Sequence, residues 1–455
     1  MSQRQAAAEP APRRIVSLDL DSEAPDLTAA SGGSETVMLV GCRGGVPVGA
    51  VDLELTSDPA EGRRGLDRLR GLPVAEPLPV VPDGRLPSIT VVVPTIVGRD
   101  DELRLLCAGL LAVDYPDAEF LLVDNRVAVP SGDILPSIAA DHPGIRIVTE
   151  RVPGISAARN AGIAAARGEV VVFTDDDVQV DPGWLRAIGT RFASDPAIDV
   201  VTGLILPAEL DTPAQIWFEQ YYGGFAGERS FSPKLIEAVP GLPRPLRAAR
   251  LVARDDAGAE ITRFALYGVG AFGAGANMGF RRTALDREGG FDPALGTGTP
   301  TRGGEDLAML ISIIWTGGRL AFEPRAVVHH RHRRTLPELE RQLFGYGLGF
   351  TACMTSLVLA DPRHLLAVAW QLPPAIRSLT TDKVLRLVTR PRRGPGSLSA
   401  DALGAADAVD PEATRSPRLE ADSYPLSLAR HELRGYPRGP LAYLRSRRRH
   451  RRLSR

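Results

Sequence analysis

Three consecutive carboxylates, Asp175, Asp176 and Asp177, follow the apolar run VVVFT. Like charges placed side by side repel one another, so this composition indicates that a positive charge is held beside the turn. Hard divalent cations such as Mg²⁺ prefer oxygen ligands, and one or two carboxylates together with substrate phosphates usually hold them. Asp175 and Asp177 are one residue apart on the turn and can face the same cation. The pattern predicts a metal site, with a solvated turn as the alternative.

Two further groups of polar residues follow or open apolar segments. Asp124 and Asn125 end the run LLVDN, where such side chains either accept hydrogen bonds from a ribose or base or start a turn for local reasons. Glu305 and Asp306, in GGEDL, open an apolar helix. An acid at that place either complements the helix dipole or serves as a base toward a hydroxyl group. Both alternatives stay open for each pair.

Basic residues supply a third group of candidates. Arg159 lies in the Ala-rich stretch GISAARNAGIAAARG, where it either reaches an anionic ligand or lies on the surface of an amphipathic helix. The run HHRH at 329–332 contains three of the seven histidines and follows an apolar strand. Imidazole is a common metal ligand. A basic cluster that binds phosphate is the alternative.

The elements that must position these groups alternate between apolar strands and helices from residue 88 onward. The strands are SITVVVPT, AEFLLVDN, IRIVTE and EVVVFTDDD, with helical patterns between them. Short buried strands separated by helices predict βα units, and hence a mainly parallel sheet with helices on both faces. Ligands of such sheets bind at the carboxyl ends of the strands. We therefore expect Asp124 and the three carboxylates of the TDDD turn on the same rim.

The two ends of the chain are less regular than its centre. TVMLVGCRGGVPVGAVDLEL predicts two short strands around a Gly-rich turn, and a Pro-rich connector follows it. The tail is rich in Pro, Gly and Ser from residue 390 onward, which is typical of a linker. The chain is accordingly divided into an N-terminal extension with a small β element and linker (1–85), a central domain (86–350) and a C-terminal helical or irregular extension (351–455).

Bulk composition limits the class of protein. The 455 residues are 44% hydrophobic and carry a net charge of −1, which fits a globular protein without a global bias toward nucleic acid. Cys42, Cys107 and Cys353 form no CxxC pair, so they predict neither a zinc site nor a disulfide framework. The N-terminus lacks the apolar core of a signal peptide, and no run of 18 apolar residues occurs. We expect a cytoplasmic protein.

An arginine block, LRSRRRHRRLSR, closes the chain. Such a block is either a solvated tail or a contact with an anionic membrane surface, where each basic residue contributes about 1 kcal/mol. No aromatic residues interleave with the arginines, so stacking on bases has no support and we expect no nucleic-acid partner. Peripheral contact with the inner face of the cell membrane and a solvated tail both stay open as interpretations of the block.

Taken in order, these segments resemble the family 2 glycosyltransferases, which have the GT-A fold. The resemblance covers residues 88–350 and rests on VVVPT, LLVDN, PGISAARNAGIAAARGE, VVFTDDDVQVDPGWL, GANMGFRR, GFDPALGTG, GGEDL and VVHHRHRR. Each motif alone is weak, whereas the ordered series is specific, above all the ARNAGI helix that leads into the TDDD turn. The fold it implies is α/β, with a GT-A-like, mainly parallel sheet flanked by helices.

The resemblance also implies roles for the residues that match its motifs. A nucleoside-diphosphate sugar would bind the first half of the sheet, and its diphosphate would lie on Mg²⁺ or Mn²⁺ held by Asp175, Asp177 and His330. Asp306 would be the general base, with Glu305 as its catalytic neighbour. The donor-binding residues implied in this way are Thr95, Asp124, Asn125, Arg159, Asp175, Asp176, Gly275 and Asn277.

These roles describe a metal-dependent, inverting transferase that moves a sugar to a hydroxyl group of a glycan, a lipid-linked carbohydrate or a secondary metabolite. Two other interpretations stay open: a catalytically silent nucleotide-sugar-binding protein of the same fold, and a nucleotidyltransferase. The latter would need a basic, Gly-rich phosphate loop early in the chain, which PTIVGRDDE does not provide. After VDN the family's usual Ser, Asp or Thr turn is replaced by RVAVPSGD, which leaves the base preference open.

Overall fold

The computed structural model describes residues 9–23, 27–29, 34–225, 229–239, 249–378 and 425–453. Within them, a large sheet separates two hydrophobic cores, and a small three-stranded sheet forms near the N-terminus. The predicted α/β class, with a helix-flanked sheet and an N-terminal β element, is thereby confirmed. The predicted linker that begins at residue 390 lies outside the described residues.

The N-terminal unit consists of β1 (Arg14–Asp19), β2 (Glu35–Arg43), β3 (Val46–Leu55) and α1 (Ala60–Arg70). Strands β2 and β3 form an antiparallel hairpin, and β1 pairs with β2 in parallel. The hairpin turn contains Gly44 and Gly45 with φ angles of 54° and 80°, which glycine adopts without a Cβ clash. The predicted pair of strands around a Gly-rich turn is therefore present.

The first half of the large sheet is built from strand–helix repeats. Its elements are β4 (Ile89–Thr95), α2 (Asp100–Leu111), β5 (Ala118–Asp124), α3 (Leu135–Asp141), β6 (Ile145–Thr149), α4 (Ile155–Ala165) and β7 (Val170–Phe173). The four strands pair in parallel in the order β7-β4-β5-β6. Alternate side chains of β4 enter the two cores, Val91 and Val93 on one face and Val92 on the other, as expected for a strand covered on both faces.

The second half of the sheet mixes strand directions. Its elements are β8 (Val178–Val180), α5 (Trp184–Ser194), β9 (Val200–Pro207), α6 (Pro213–Tyr222), β10 (Lys234–Ala238), β11 (Arg250–Arg254), β12 (Glu260–Ala265), β13 (Met278–Arg281), α7 (Arg282–Glu288), α8 (Glu305–Trp315) and β14 (Leu320–His330). Among the described residues the sheet has 11 strands, ordered β12-β11-β10-β14-β9-β13-β7-β4-β5-β6 with β8 attached to β14. Strand β13 runs antiparallel to both β7 and β9, whereas β14 is parallel to β9. Uninterrupted parallel pairing is thus confined to the first half.

Helices follow the sheet in the C-terminal part of the chain: α9 (Leu336–Ala360), α10 (His364–Ser378), α11 (Leu426–Gly435) and α12 (Gly439–Leu453). Helices α11 and α12 pack along α9. A Cβ atom on Gly439 would lie 2.5 Å from the carbonyl oxygen of Leu348, so glycine is what allows this approach. Helix α9 continues through position 350, at which the predicted central domain ends, and the division into domains stays a prediction.

By length and composition, α9 is the one helix among the described residues that could cross a membrane. Half of its most apolar window is buried inside the protein. Leu339 and Leu343 pack in one core cluster, and Ala352, Cys353 and Leu357 pack in another. Packing therefore accounts for much of the apolar surface of α9, and its composition alone assigns it no membrane role.

Candidate active site

Three of the predicted metal ligands meet where β7 and β14 end. Asp175, Asp177 and His330 each offer one ligand atom, and these atoms lie within 4.8 Å of one another. The register explains the approach, because β8 pairs antiparallel with β14 and sets His330 opposite Val178, directly after the acidic turn. His330 Nε2 is 3.1 Å from Asp177 Oδ1 and 4.0 Å from Asp175 Oδ2. Two carboxylate oxygens and one imidazole nitrogen are a donor set that fits a divalent cation such as Mn²⁺.

Positive side chains surround Asp177. Arg99 Nη2 lies 2.9 Å from its Oδ2 atom, and Arg333 Nη1 lies 3.5 Å from the same oxygen. Burial alone would raise the pKa of Asp177, but His330, Arg333 and Arg99 together lower it below its usual value. Burial alone would lower the pKa of His330, but the carboxylates of Asp177 and Asp175 raise it above its usual value. The two groups therefore stabilise each other as an ion pair, and a cation bound by Asp177 would have to displace part of this pairing.

Asp175 and Asp176 are neighbours on the acidic turn, but their side chains have different partners. Burial, and then the charge of Asp177, raises the pKa of both carboxyls, and that of Asp176 reaches about 6. The charge of Arg159 opposes the rise at Asp175. Thr95 Oγ1, at the end of β4, donates to Asp176 Oδ2 at 2.6 Å. Asp176 is thus tied to the predicted donor-binding residue Thr95, while Asp175 and Asp177 turn toward His330.

Arg159 joins the acidic turn to the start of α8. Its Nη1 atom donates to Glu305 Oε1 at 2.9 Å, and its Nη2 atom lies 3.6 Å from Asp175 Oδ1. The guanidinium lies near the rings of Phe173 and Phe291, 5.9 Å and 5.4 Å from their centroids. The residue is 1% exposed. The structure therefore gives Arg159 partners within the protein, whereas the sequence predicted contact with an anionic ligand.

The acidic pair at the start of α8 is divided between a buried and a more open position. Burial, and then the neighbouring charge of Asp306, raises the pKa of Glu305 to about 7 despite Arg159. Asp306 is half-buried, and its Oδ2 atom accepts from the backbone N–H of Gly275 at 2.9 Å. Of the two, Asp306 has the position from which a carboxylate can reach a bound hydroxyl group.

Glycine contacts fix the backbone on both sides of Asp306. Gly304, with a φ of 89°, lies against the backbone of Gly349 in α9, where an added Cβ would be 2.4 Å from the Gly349 carbonyl oxygen. A Cβ on Gly275 would lie 2.4 Å from Arg159 Nη2. Neither position has room for a side chain. The first contact holds the start of α8 against α9, and the second holds the Gly-rich segment before β13 against Arg159.

Asn277, which the sequence assigned to donor binding, is fully engaged inside the protein. Its Nδ2 atom donates to the carbonyls of Leu204 and Ala326, and its Oδ1 atom accepts from Trp184 Nε1. Its exposed fraction is 0%. The side chain thus links β9, β14 and α5 below the site.

Asp124 ends β5 on the expected rim, but arginines already occupy its oxygens. Oδ1 accepts from the backbone N–H and Nε of Arg126, and Oδ2 accepts from Arg126 Nη2 at 3.2 Å and Arg151 Nη1 at 2.9 Å. Burial opposes these bonds, yet they lower the pKa of Asp124. A carboxylate offers about four acceptor positions, and all four are used. The neighbouring Asn125 bonds the loop carbonyls of Glu150 and Val152.

Sequence reasoning missed the arginines that partner these acids: Arg99, Arg126, Arg151 and Arg333. Two of them had a recognisable signal. Arg126 stands directly after VDN, where the resemblance leads one to expect Ser, Asp or Thr, and Arg333 follows the HHRH run. Arg99 and Arg151 approach from loops distant in sequence, and only the fold reveals their contacts. His332, the third histidine of that run, pairs with Glu219 rather than with the acidic turn.

Comparison with known proteins shows which family and which relatives this chain is similar to. Residues 90–288 match the sequence profile described as Glycosyl transferase family 2. The chain is 27% identical over 281 residues to the pre-mycofactocin glycosyltransferase of Mycobacterium tuberculosis (strain ATCC 25618 / H37Rv), covering 60% of this chain and 49% of that protein. It is 29% identical over 252 residues to the succinoglycan biosynthesis protein ExoO of Rhizobium meliloti (strain 1021), covering 53% of this chain and 60% of that protein. The chain thus spans between about half and three fifths of these relatives.

Among solved structures, the mannosyltransferase PcManGT from Pyrobaculum calidifontis in complex with GDP-Man and Mn²⁺ matches with 18% identity and a TM-score of 0.42, over 79% of this chain and 90% of that one. S. aureus TarS 1-349 in complex with UDP-GlcNAc matches with 14% identity and a TM-score of 0.40, over 66% and 73% of the two chains.

Proposed function

Because the chain belongs to family 2 of the glycosyl transferases, we propose that it transfers a sugar from a nucleoside-diphosphate sugar to a hydroxyl acceptor with the help of a divalent cation. The observation that supports this most is the approach of Asp175, Asp177 and His330 to within 4.8 Å of one another. Arg159 and Gly275 link this group to the half-buried Asp306. A cation site and a carboxylate base thus lie in one connected network.

The proposed chemistry divides the work between these two groups. A divalent cation at Asp175, Asp177 and His330 would neutralise the negative charge on the departing nucleoside diphosphate. Asp306 accepts the proton of the acceptor hydroxyl as its oxygen forms the new bond to the sugar. The hydrogen bond from Gly275 N–H to Asp306 Oδ2, at 2.9 Å, orients the carboxylate for this role. Attack from the face opposite the leaving group inverts the configuration at the sugar carbon.

The acceptor and the cellular location belong to the proposal as well. We propose a glycan, a lipid-linked carbohydrate or a secondary metabolite as acceptor, and a protein that works in the cytoplasm in peripheral contact with the cell membrane. The names of the two relatives, a pre-mycofactocin glycosyltransferase and a succinoglycan biosynthesis protein, are compatible with two of these acceptor classes.

Donor turnover by the purified chain tests the function. A panel of UDP-, GDP- and dTDP-sugars is incubated with and without Mn²⁺, and release of the nucleoside diphosphate is measured. We expect release from at least one donor and its loss on chelation. Binding of a nucleotide sugar without turnover would support the catalytically silent alternative, and turnover of a nucleoside triphosphate with a sugar phosphate would support the nucleotidyltransferase.

The base assignment is tested by Asp306→Asn. We expect sugar transfer to fall at least about a hundredfold, because general base catalysis contributes on the order of 10²–10⁴. Nucleotide affinity, measured by calorimetry, should change less than about threefold. Asp100→Asn, at an exposed residue in the first turn of α2, is the matched control and should transfer normally. Unchanged transfer by Asp306→Asn would show that another group removes the proton.

A further inference from the structure

Large apolar side chains lie on the outer face of the first two turns of helix α10. His364 and Gln371, on its inner face, are 2% and 7% exposed. On the opposite face, Leu365, Leu366 and Trp370 are 56%, 61% and 63% exposed. A surface helix of a soluble protein usually has charged or polar side chains on the face that points away from the core. The outer face of α10 therefore has the composition of a surface that is covered by something else.

Trp370 differs from the other tryptophans of the chain. Trp184, Trp217 and Trp315 are between 0% and 8% exposed, so each is accounted for by packing. Trp370 lies one helical turn from Leu366 and forms a continuous apolar stripe with it. Exposed apolar groups gathered in this way mark a contact with a membrane or a partner, and Trp is favoured where one side of a surface meets lipid headgroups.

The charge of helix α12 indicates whether a membrane or a partner protein covers this face. Among residues 439–453 there is no acidic residue. The exposed side chains of this helix include six arginines: Arg445, Arg447, Arg448, Arg449, Arg451 and Arg452. A helix with this charge density is repelled by a second copy of itself and is attracted to a dense anionic surface.

The packing of α12 along α9 brings its arginines toward the end from which α10 starts. Gly439 lies against Leu348 and Ala352 of α9. One turn further along both helices, Tyr443 and Ser356 donate to the same oxygen, Asp292 Oδ2. The two helices therefore run parallel. At 1.5 Å per residue, α9 ends about 6 Å beyond Ser356, whereas α12 continues for about 15 Å beyond Tyr443.

We propose that these two helices form a docking surface for an anionic lipid bilayer. The docking surface consists of Leu365, Leu366 and Trp370 of α10 together with the six exposed arginines of α12. The apolar side chains enter the boundary between headgroups and acyl chains, and the arginines pair with headgroup phosphates, which is the composition of an interfacial amphipathic anchor. This goes beyond a tail attracted by charge alone, because it assigns α10 as the part that enters the bilayer.

Binding of the full chain to vesicles tests the docking surface. We expect flotation with vesicles of phosphatidylcholine and phosphatidylglycerol and none with phosphatidylcholine alone. Leu366→Ser/Trp370→Ser and Arg448→Ser/Arg452→Ser should each weaken the partition at least about tenfold. The matched controls are Leu105→Ser, at a leucine of α2 that is 52% exposed, and Arg63→Ser/Arg64→Ser on α1, and both should bind as the unaltered chain does.

Fluorescence identifies the group that enters the lipid. Since the other three tryptophans are buried, quenching by brominated acyl chains should report on Trp370. We expect quenching on anionic vesicles and its loss in Trp370→Phe, which still binds. Donor turnover in solution should be the same for every variant, so a failure of this proposal is distinct from a failure of the proposed function.

Several outcomes would overturn the docking surface. Binding that survives Leu366→Ser/Trp370→Ser would leave an electrostatic tail alone, and equal binding to neutral vesicles would remove the role of the arginines. A dimer that Leu366→Ser/Trp370→Ser converts to a monomer, without vesicle binding, would make a second copy the occupant. Trp370 fluorescence that is already shifted to the blue without lipid would show that the chain itself covers the face.

Discussion

Within the part of the chain that the structure describes, Arg159 contacts both acidic groups of the site, through Asp175 and Glu305. Lysine has the same charge but lacks the planar fork that serves several acceptors at once. We therefore expect Arg159→Lys to lower kcat about tenfold or more and to raise the Mn²⁺ concentration for half-maximal rate, with little change in donor KM. Arg167→Lys, at an exposed arginine after α4, is the control. A change confined to donor KM would indicate the ligand contact predicted from the sequence.

The thermal stability of variants shows how much the buried pair of Arg159 and Glu305 contributes to the fold. Arg159→Met leaves Glu305 buried without its closest cation, and removal of one partner of a buried pair costs about 3–5 kcal/mol. Adding Glu305→Gln removes the buried charge as well. The double variant should therefore unfold at a higher temperature than Arg159→Met, as measured by calorimetry. If the two changes are additive, the pair contributes no mutual stabilisation.

A variant of Asp124 tests whether this carboxylate stabilises the fold or contacts the nucleoside. Because Arg126 and Arg151 occupy its oxygens, we expect Asp124→Asn to lower the free energy of unfolding by about 2 kcal/mol or more, given that bonds to charged groups contribute about 1.5–3 kcal/mol each. Asp133→Asn, which touches Arg126 from a more exposed position, should cost less. Unchanged stability with loss of nucleotide binding would restore the role predicted from the sequence. Denaturant titration and calorimetry provide the two measurements.

At the scale of elements, His364 holds α10 in place by remaining neutral. Its ring stacks on Trp315 at 3.9 Å and meets the Tyr267 hydroxyl at 3.0 Å. Burial lowers the pKa of His364 to about 4, despite the charge of Asp361. Because the folded pKa lies below the unfolded value of about 6.5, the stabilisation is complete above pH 6.5 and is lost as the pH falls through 4.

The expected size of this effect follows from the two pKa values. Between pH 7 and pH 5 the His364 contribution falls by about 2 kcal/mol. His364→Gln should remove this part of the pH dependence, whereas His142→Gln should leave it intact. Unfolding measured at both pH values checks the prediction. An identical pH dependence in the unaltered chain and His364→Gln would mean that another group titrates over this range.

Sequence patterns predicted the parallel first half of the sheet because each of its strands is a short apolar run followed by a helix. The same patterns did not predict the second half, because β13 pairs with β7 and β9 although many residues separate it from them in the sequence. The sequence predicted a helical or irregular C-terminal extension but not the bounds of α11 and α12. Gly435 and Gly439 allow the close approach of these helices to α9, a contact that only the fold reveals. In the same way, the acids of the site could be predicted from the sequence, whereas Arg99 and Arg151 reach them from distant loops that only the fold brings close.

At the scale of the whole molecule, the N-terminal unit is joined to the large sheet rather than appended to it. Arg13 Nη1 donates to Asp52 of β3 at 2.8 Å, and its backbone N–H donates to the carbonyl of Leu210, beyond the end of β9. Met38 and Val40 of β2 belong to the same core cluster as residues of the large sheet. The two parts therefore share buried surface and should unfold together.

Calorimetry tests this cooperativity. We expect a single unfolding transition for the unaltered chain and two transitions for Arg13→Ala/Met38→Ala, with the N-terminal unit melting first. Loss of the buried methionine side chain alone costs about 2–5 kcal/mol. Arg14→Ala breaks an exposed pair with Glu35, so it should lower the free energy of unfolding by only about 0–1 kcal/mol. It should therefore preserve the single transition. Two transitions in the unaltered chain would show that the parts are independent.

The contact between Gly304 and Gly349 limits which substitutions the chain can accept beside the proposed base. It leaves no room for even one methyl group, and it lies two residues before Asp306. A bulkier residue at either glycine would push α8, which carries the proposed base, away from α9, and misplacement by about 1 Å is enough to cost on the order of a hundredfold in rate. Attempts to evolve a new acceptor preference should therefore keep this pair of glycines invariant and place substitutions elsewhere.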